Sequence, residues 1–238
     1  MLLTVAVIVA FLVIGVLLEM ATSGYRSAAL GTVSPVDAEI AALGASGADC
    51  LQYLQSEIPH RSFRVVERSR GVGASFDGIR RRMLLGRGFR DATAASVLTA
   101  AHEFTHALQV GPRWTPLRIL HYAGSVVLLG GVVLALFAGG TYWWLGAVAV
   151  FLLIDGGAKV PEETDAIVGS LELSAQYLRH KGLSGAALEQ FLAAAQKKTR
   201  ATIIWYPLAI VTMSTWMGGS IALLAFLRPF FLASIVHW

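Results

Sequence analysis

The sequence predicts a mainly α-helical, polytopic membrane protein with about four transmembrane helices and a small β-hairpin in its hydrophilic part. Charged side chains make up only 14% of the 238 residues and hydrophobic ones 55%, whereas a soluble domain carries about a quarter charged residues. Mean hydropathy is +0.63. The apolar residues also fall in long uncharged runs, not in the short periodic stretches of a soluble core.

These features exclude several classes. A chain this apolar does not stay disordered. Cys50 is the only cysteine, so no intramolecular disulfide framework exists. The net charge of +4 reads as orientation against a lipid bilayer, the expected partner. No basic stretch with interleaved aromatics argues for nucleic acid, and none is expected to bind.

A bilayer core is about 30 Å thick and needs roughly 17–25 apolar residues to span it. Residues 2–18 form an unbroken uncharged run. It lacks the basic n-region and small-residue cleavage site of a signal peptide, so it is expected to be a retained span. The next uncharged stretch, from His121 to Ile154, would measure about 50 Å as one helix. Gly139-Gly140-Thr141 interrupts it, which predicts a hairpin of two spans, 119–138 and 141–154. Tyr142, Trp143 and Trp144 at the turn suit the membrane interface. A last span covers 203–227, where Arg228-Pro229 ends it.

This arrangement leaves two hydrophilic segments, 19–118 and 155–202, on one side of the membrane within a single membrane-embedded unit. Twelve of the 19 Lys and Arg lie in the first and six in the second, with only Arg228 elsewhere. The positive-inside rule then places both segments in the cytoplasm and both termini outside.

Within the first segment, Ser34-Pro35-Val36-Asp37 reads as a helix start, with the helix reaching about Ser56 although Gly44 and Gly47 weaken it. Residues 63–68 and 81–85 have β character and predict a short hairpin around a turn region at 71–78. Asp91 is expected to cap a helix over 92–110, closed by Gly111 and Pro112. In the second segment one helix is expected from about Pro161 to Gly182, and another from Ser184 to about Arg200.

The helix after Asp91 contains His102-Glu103-Phe104-Thr105-His106, the pattern H-E-x-x-H. Residues four apart share a helix face, so two imidazoles can converge on one metal ion. Glu103 can then take a proton from a metal-bound water. Zinc at such a zincin-like helix lowers the pKa of water toward about 7 and polarises a peptide carbonyl. This composition would produce the pattern by chance roughly 0.006 times in such a chain, so two merely structural histidines are the weaker reading.

Catalytic zinc usually takes three protein ligands and keeps one position open. A third histidine in the pattern H-E-x-x-H-x-x-G-x-x-H would fall at Pro112, which removes that option. Carboxylates remain, and Pro161-Glu162-Glu163-Thr164-Asp165-Ala166 offers three. Acidic residues in a first helical turn also stabilise the helix dipole with no metal involved.

These two patches resemble the YugP-type membrane zinc metallopeptidases, which carry A-A-H-E-x-G-H-A-x-Q, a hydrophobic hairpin, and then P-x-E-F-D-A. Here the first patch reads Ala100-Ala101-His102-Glu103-Phe104-Thr105-His106-Ala107-Leu108-Gln109. The resemblance covers the order of elements over most of the chain, but its specific motifs only here. It implies that His102, His106 and Glu163 bind one Zn2+ per chain, that Glu103 is the general base, and that Asp165 orients a histidine. It further implies a zinc metalloendopeptidase with a gluzincin-like third ligand and a protein or peptide substrate. Thr105 stands where the family has Gly, a change expected to be harmless in a helix, and Thr164 replaces an aromatic. The family's upstream D-H-Y-D-P is replaced by Ala74-Ser75-Phe76-Asp77-Gly78, which keeps Asp77 alone.

The remaining features are expected to be structural. His60, His121, His180 and His237 stand alone and are expected at the surface or the membrane interface, not as ligands, and Arg80-Arg81-Arg82 suits lipid headgroups better than an acidic substrate. Trp205, Trp216, Phe226, Phe230 and Phe231 suit span packing. Met83–Leu85 is the candidate edge strand for aligning a peptide. Two rivals stand beside the peptidase. One is a non-catalytic membrane protein whose zinc site is a structural staple in an interaction scaffold. The other is a transporter or channel component, disfavoured on the expectation that no ionisable residue lies inside the proposed spans.

Overall fold

The computed structural model describes residues 2–30, 35–59, 62–67, 74–78, 80–137 and 143–236. It is mainly helical, with one small sheet. The helices are α1 (Leu2–Leu30), α2 (Asp37–Ala42), α3 (Gly47–Glu57), α4 (Ala94–Leu108), α5 (Thr115–Phe137), α6 (Trp143–His180) and α7 (Gly185–Val236). The strands are β1 (Arg64–Glu67), β2 (Ala74–Asp77) and β3 (Arg82–Leu85), followed by a 3-10 turn over Arg87–Arg90.

Three helices among the described residues are long and apolar enough to cross a membrane. The candidate spans are Ile8–Ala29, Thr115–Ala135 and part of Gly185–Pro229. Large apolar side chains such as Leu17, Met20, Val126 and Leu129 are exposed along the first two, which suits hydrocarbon, not water. The predicted span 141–154 is not among these three. Its described residues, from Trp143 onward, form the start of α6. The expected Gly139-Gly140-Thr141 break and Tyr142 lie outside the described residues.

Two predicted helix boundaries prove to be interior positions. Pro161, an expected start, lies inside α6, and the helix that begins after Ser184 as expected does not end near Arg200 but continues without a break through Pro207 and Pro229 as α7. A proline removes one backbone N–H and strains one turn, at a cost of about 3 kcal/mol. That is enough to read as a boundary in sequence, and small enough for packing along a long helix to outweigh.

The described chain divides into two compact units. One comprises Met1–Gly24, Thr115–Pro161 and Ile204–Trp238, and the other Tyr25–Trp114 and Glu162–Ile203. In the first, Ala135, Val148, Leu152, Ile221 and Ala225 form the buried cluster. Trp216 of α7 packs over Gly15 of α1. An ionisable pair also lies here: His121 Nδ1 is 3.2 Å from Asp155 Oδ1. A Cβ at Gly124 would sit 2.3 Å from the Asp155 carboxyl carbon, so only glycine leaves room for that carboxylate. His121 therefore faces a carboxylate, and the candidate span Thr115–Ala135 carries an ionisable side chain, which corrects the expectation of spans free of such residues. Among the other lone histidines, His180 stacks on Tyr53 with centroids 4.5 Å apart, and His60 and His237 lie outside the described residues.

The second unit has a core of Val36, Ile40, Leu54, Met83, Val97, Phe104, Tyr177 and Phe191, among others. The helix predicted to run to Ser56 is two helices. Gly44 adopts φ +59°, which favours glycine, and the Ser46 hydroxyl then caps α3 by accepting the Asp49 N–H at 3.1 Å. Ser34 lies outside the described residues.

The predicted hairpin is also corrected. The sheet order is β1-β3-β2, with β1 parallel and β2 antiparallel to β3. The true hairpin partner of β3 is β2, which occupies part of the expected turn region. Arg81 takes φ 46° in the β2–β3 turn, and its Nε donates to the Ser62 carbonyl. Arg82 pairs with Asp77 at 3.1 Å. Met83–Leu85 is thus the central strand with both edges paired, which removes it as an edge for aligning a peptide.

Candidate metal centre

The helix that carries H-E-x-x-H starts two residues later than expected. Thr93, not Asp91, is its N-cap: the Thr93 hydroxyl accepts the Ser96 N–H at 3.2 Å, and Ser96 Oγ accepts the Thr93 N–H. Asp91 contributes its carbonyl, which accepts from Ser96 Oγ. Asp37 of α2 satisfies a further first-turn donor, accepting the Ala94 N–H at 2.8 Å. Such caps typically contribute about 1 kcal/mol each. The helix ends at Leu108 with Gln109 as C-cap, and Gly111 at φ +108° turns the chain before Pro112.

His102 and His106 lie one turn apart on α4. Glu163 reaches them from α6, and the three residues form a group able to hold a metal ion. His102 Nε2 is 3.1 Å from His106 Nε2, and Glu163 Oε2 is 3.4 Å and 3.6 Å from these two atoms. Zinc bonds nitrogen and oxygen at about 2.0–2.2 Å, so tetrahedral ligand atoms lie about 3.3–3.6 Å apart. Two of the three separations fall in that range and the His102–His106 edge is slightly shorter, and a point equidistant from all three atoms lies about 2.0 Å from each. The donor set therefore fits an ion of this size.

The placement of α6 bears on the competing view of its acidic residues. Glu162 and Glu163 lie deep inside a helix that begins at Trp143, so stabilisation of a first-turn dipole does not account for them. Glu162 is buried at 6% exposure, and its backbone carbonyl accepts from Gln109 Nε2.

The electrostatics reflect close packing of two imidazoles and two carboxylates. Burial by itself would raise the Glu163 carboxyl, but the close approach and charge of His102 and His106 outweigh it and hold Glu163 well below the usual carboxylate range. Burial would likewise lower His106, yet its close contact with the Glu163 carboxylate and the charges of Glu163 and Glu103 leave it raised. Glu103, 8% exposed, is raised by burial, with partial relief from the histidine charges. A buried carboxylate with a raised pKa is a better proton acceptor near neutrality than a surface one.

Asp165 and Gln109 complete the surroundings. Asp165 does not touch a histidine. Its Oδ2 accepts from Gln109 Nε2 at 2.9 Å, and Gln109 Oε1 lies 2.7 Å from His106 Nδ1. Gln109 Nε2 also donates to the Glu162 carbonyl at 2.7 Å. Sequence reasoning assigned Gln109 no role. The available signal was its position three residues after His106, on the same face of the chain. Thr105, where the resembling family has Gly, is buried at 7% exposure against Gly169 of α6. Asp77 lies outside the centre and serves the β2–β3 turn, accepting the Arg80 N–H at 3.0 Å.

No family model, no curated protein and no solved structure matches this chain.

Proposed function

We propose that this protein is an integral membrane zinc metalloendopeptidase of the YugP type, with His102, His106 and Glu163 as ligands of one zinc ion and Glu103 as general base. The observation that carries the reading is the closure of two imidazole nitrogens and one carboxylate oxygen into a triangle of 3.1–3.6 Å edges, next to a buried glutamate. Two histidines and one carboxylate are the donor set of catalytic zinc with a free coordination position. Zinc, when bound, supplies Lewis acidity that polarises a peptide carbonyl and acidifies water.

The chain's own residues do the rest. Glu103 accepts the proton of the attacking water and returns it to the departing amine nitrogen, so that the C–N bond breaks and a C–O bond forms with no net proton change on the enzyme. Its burial supports that role, because an ionisable group kept from solvent without a task is a cost to the fold. His102 and His106 are held on one rigid helix, so the donor atoms need little rearrangement. The substrate is a protein or peptide. The lopsided distribution of Lys and Arg supports a catalytic centre on the cytoplasmic side of the cell membrane.

The test is hydrolysis of a peptide library by the purified full-length protein. Activity should vanish with a chelator and return with stoichiometric zinc. Tight zinc binding with no cleavage in any metal state would instead favour the structural-staple scaffold.

A further inference from the structure

We propose that Gln109 is a positioning residue of this centre. Its amide fixes His106 as the Nδ1–H tautomer, so that the Nε2 lone pair faces the metal, and it ties the two helices that supply the ligands to each other. The inference rests on the metal-site reading given above and adds the group that aligns it.

The amide's orientation follows from its partners. Gln109 is 3% exposed, so its polar atoms must be satisfied within the protein. One end of the amide faces the Glu162 carbonyl at 2.7 Å and the Asp165 carboxylate at 2.9 Å. Both are acceptors, so that end must be the NH2 group with its two donors. The other end is then the carbonyl oxygen, and it lies 2.7 Å from His106 Nδ1. A carbonyl oxygen only accepts, so Nδ1 must carry the proton. In a neutral imidazole this leaves Nε2 unprotonated, and Nε2 is the atom that faces His102 and Glu163. The tautomer needed for ligation is thus set by hydrogen bonding before any ion arrives.

The anchors of the amide lie on either side of Glu163 in α6. Gln109 follows His106 on α4, and it grips the carbonyl one residue before Glu163 and the carboxylate two residues after it. The same side chain therefore fixes how His106 and Glu163 stand to each other. A direct carboxylate–histidine contact would share negative charge with the ring. An interposed neutral amide supplies orientation without that charge, so Asp165 acts through Gln109 and not on the metal ligand itself.

The experiment measures zinc dissociation constants of the purified full-length protein by competition with a chromophoric chelator, together with 15N spectra of histidine-labelled apoprotein. Gln109→Leu should weaken zinc binding about 10–100-fold and, in spectra recorded at high pH where the ring is neutral, convert His106 from the Nδ1–H form to a mixture of tautomers. Asp165→Asn keeps an oxygen that can accept from Gln109 and should stay within about threefold of wild type. Asp165→Ala should fall between the two, and should add little in the Gln109→Leu background. A purely packing role would lower thermal stability without altering the tautomer. Wild-type affinity and an unchanged tautomer in Gln109→Leu would overturn this inference alone, as would Asp165→Asn losing as much as Asp165→Ala. A wild-type protein that binds no zinc would overturn the metal-site reading and this inference with it. Should Gln109→Leu not fold, the comparison of Asp165→Asn with Asp165→Ala still decides.

Discussion

Alanine at Gly169 is expected to disturb the metal centre without touching any ligand. A Cβ there would lie 2.9 Å from Thr105 Cγ2 and 3.1 Å from Thr105 Oγ1. Ordinary contacts are longer by several tenths of an ångström, so something must move. Thr105 has little freedom to do so: it is β-branched on a helix, and its hydroxyl donates to the Ala101 carbonyl at 2.9 Å. The backbones of α4 and α6 must then part, and Thr105 immediately precedes His106 while Gly169 shares its helix with Glu163. Overpacking costs about 1–3 kcal/mol, offset by about 0.5–1 kcal/mol from the better helix propensity of alanine. A net cost of roughly 0.5–2 kcal/mol, expressed at the site, weakens zinc about 2- to 30-fold. Chelator competition on Gly169→Ala, Thr105→Ala and the double variant reads it. The double variant should recover most of the loss, because only the Thr105 Cβ, 3.6 Å away, remains to be met. A Gly169→Ala protein with wild-type affinity, or a double variant no better than it, would refute the reasoning.

Three further outcomes are expected. Glu163→Ala should strip most of the zinc measured per chain after dialysis at fixed free zinc, while Glu162→Ala should stay near wild type because Glu162 is not one of the three converging groups. Zinc affinity should be full at high pH and lost as pH falls through the raised pKa of His106, since a proton on that ring competes with the metal; a break below the ordinary histidine value of about 6.5 would contradict the contact between His106 and Glu163. Cys50 is buried and its thiol is pushed far up by desolvation and by Asp49. A maleimide should therefore label it only after denaturation, and rapid labelling of the folded protein would show that this core is open.

Much of the centre was legible in the sequence, because its defining relation is local. An i, i+4 pair of histidines with glutamate between them fixes a helix face once the helix is granted, and Gly111 and Pro112 marked the helix end. What escaped depends on partners far along the chain. The parallel pairing of Arg64–Glu67 with Arg82–Leu85 is invisible to a hairpin rule that reads only neighbouring strands. Gln109 sat in plain view, but its partners at Glu162 and Asp165 lie more than fifty residues away. Pro161 illustrates a different failure. Its local meaning as a helix start is genuine, and so is the drop in hydropathy beside it, yet α6 runs through both. The interlock of Thr105 with Gly169 was equally hidden: a threonine harmless on its own helix requires a glycine on another.

Zinc content and peptide hydrolysis in the Glu103→Gln variant test the central claim most directly. A neutral amide cannot take a proton from water, and loss of a positioned general base typically costs about 10²–10⁴-fold in rate. The variant should keep wild-type zinc per chain, because Glu103 is not one of the three converging groups, and should lose hydrolysis by that factor. Cleavage at the wild-type rate with zinc retained would contradict the account.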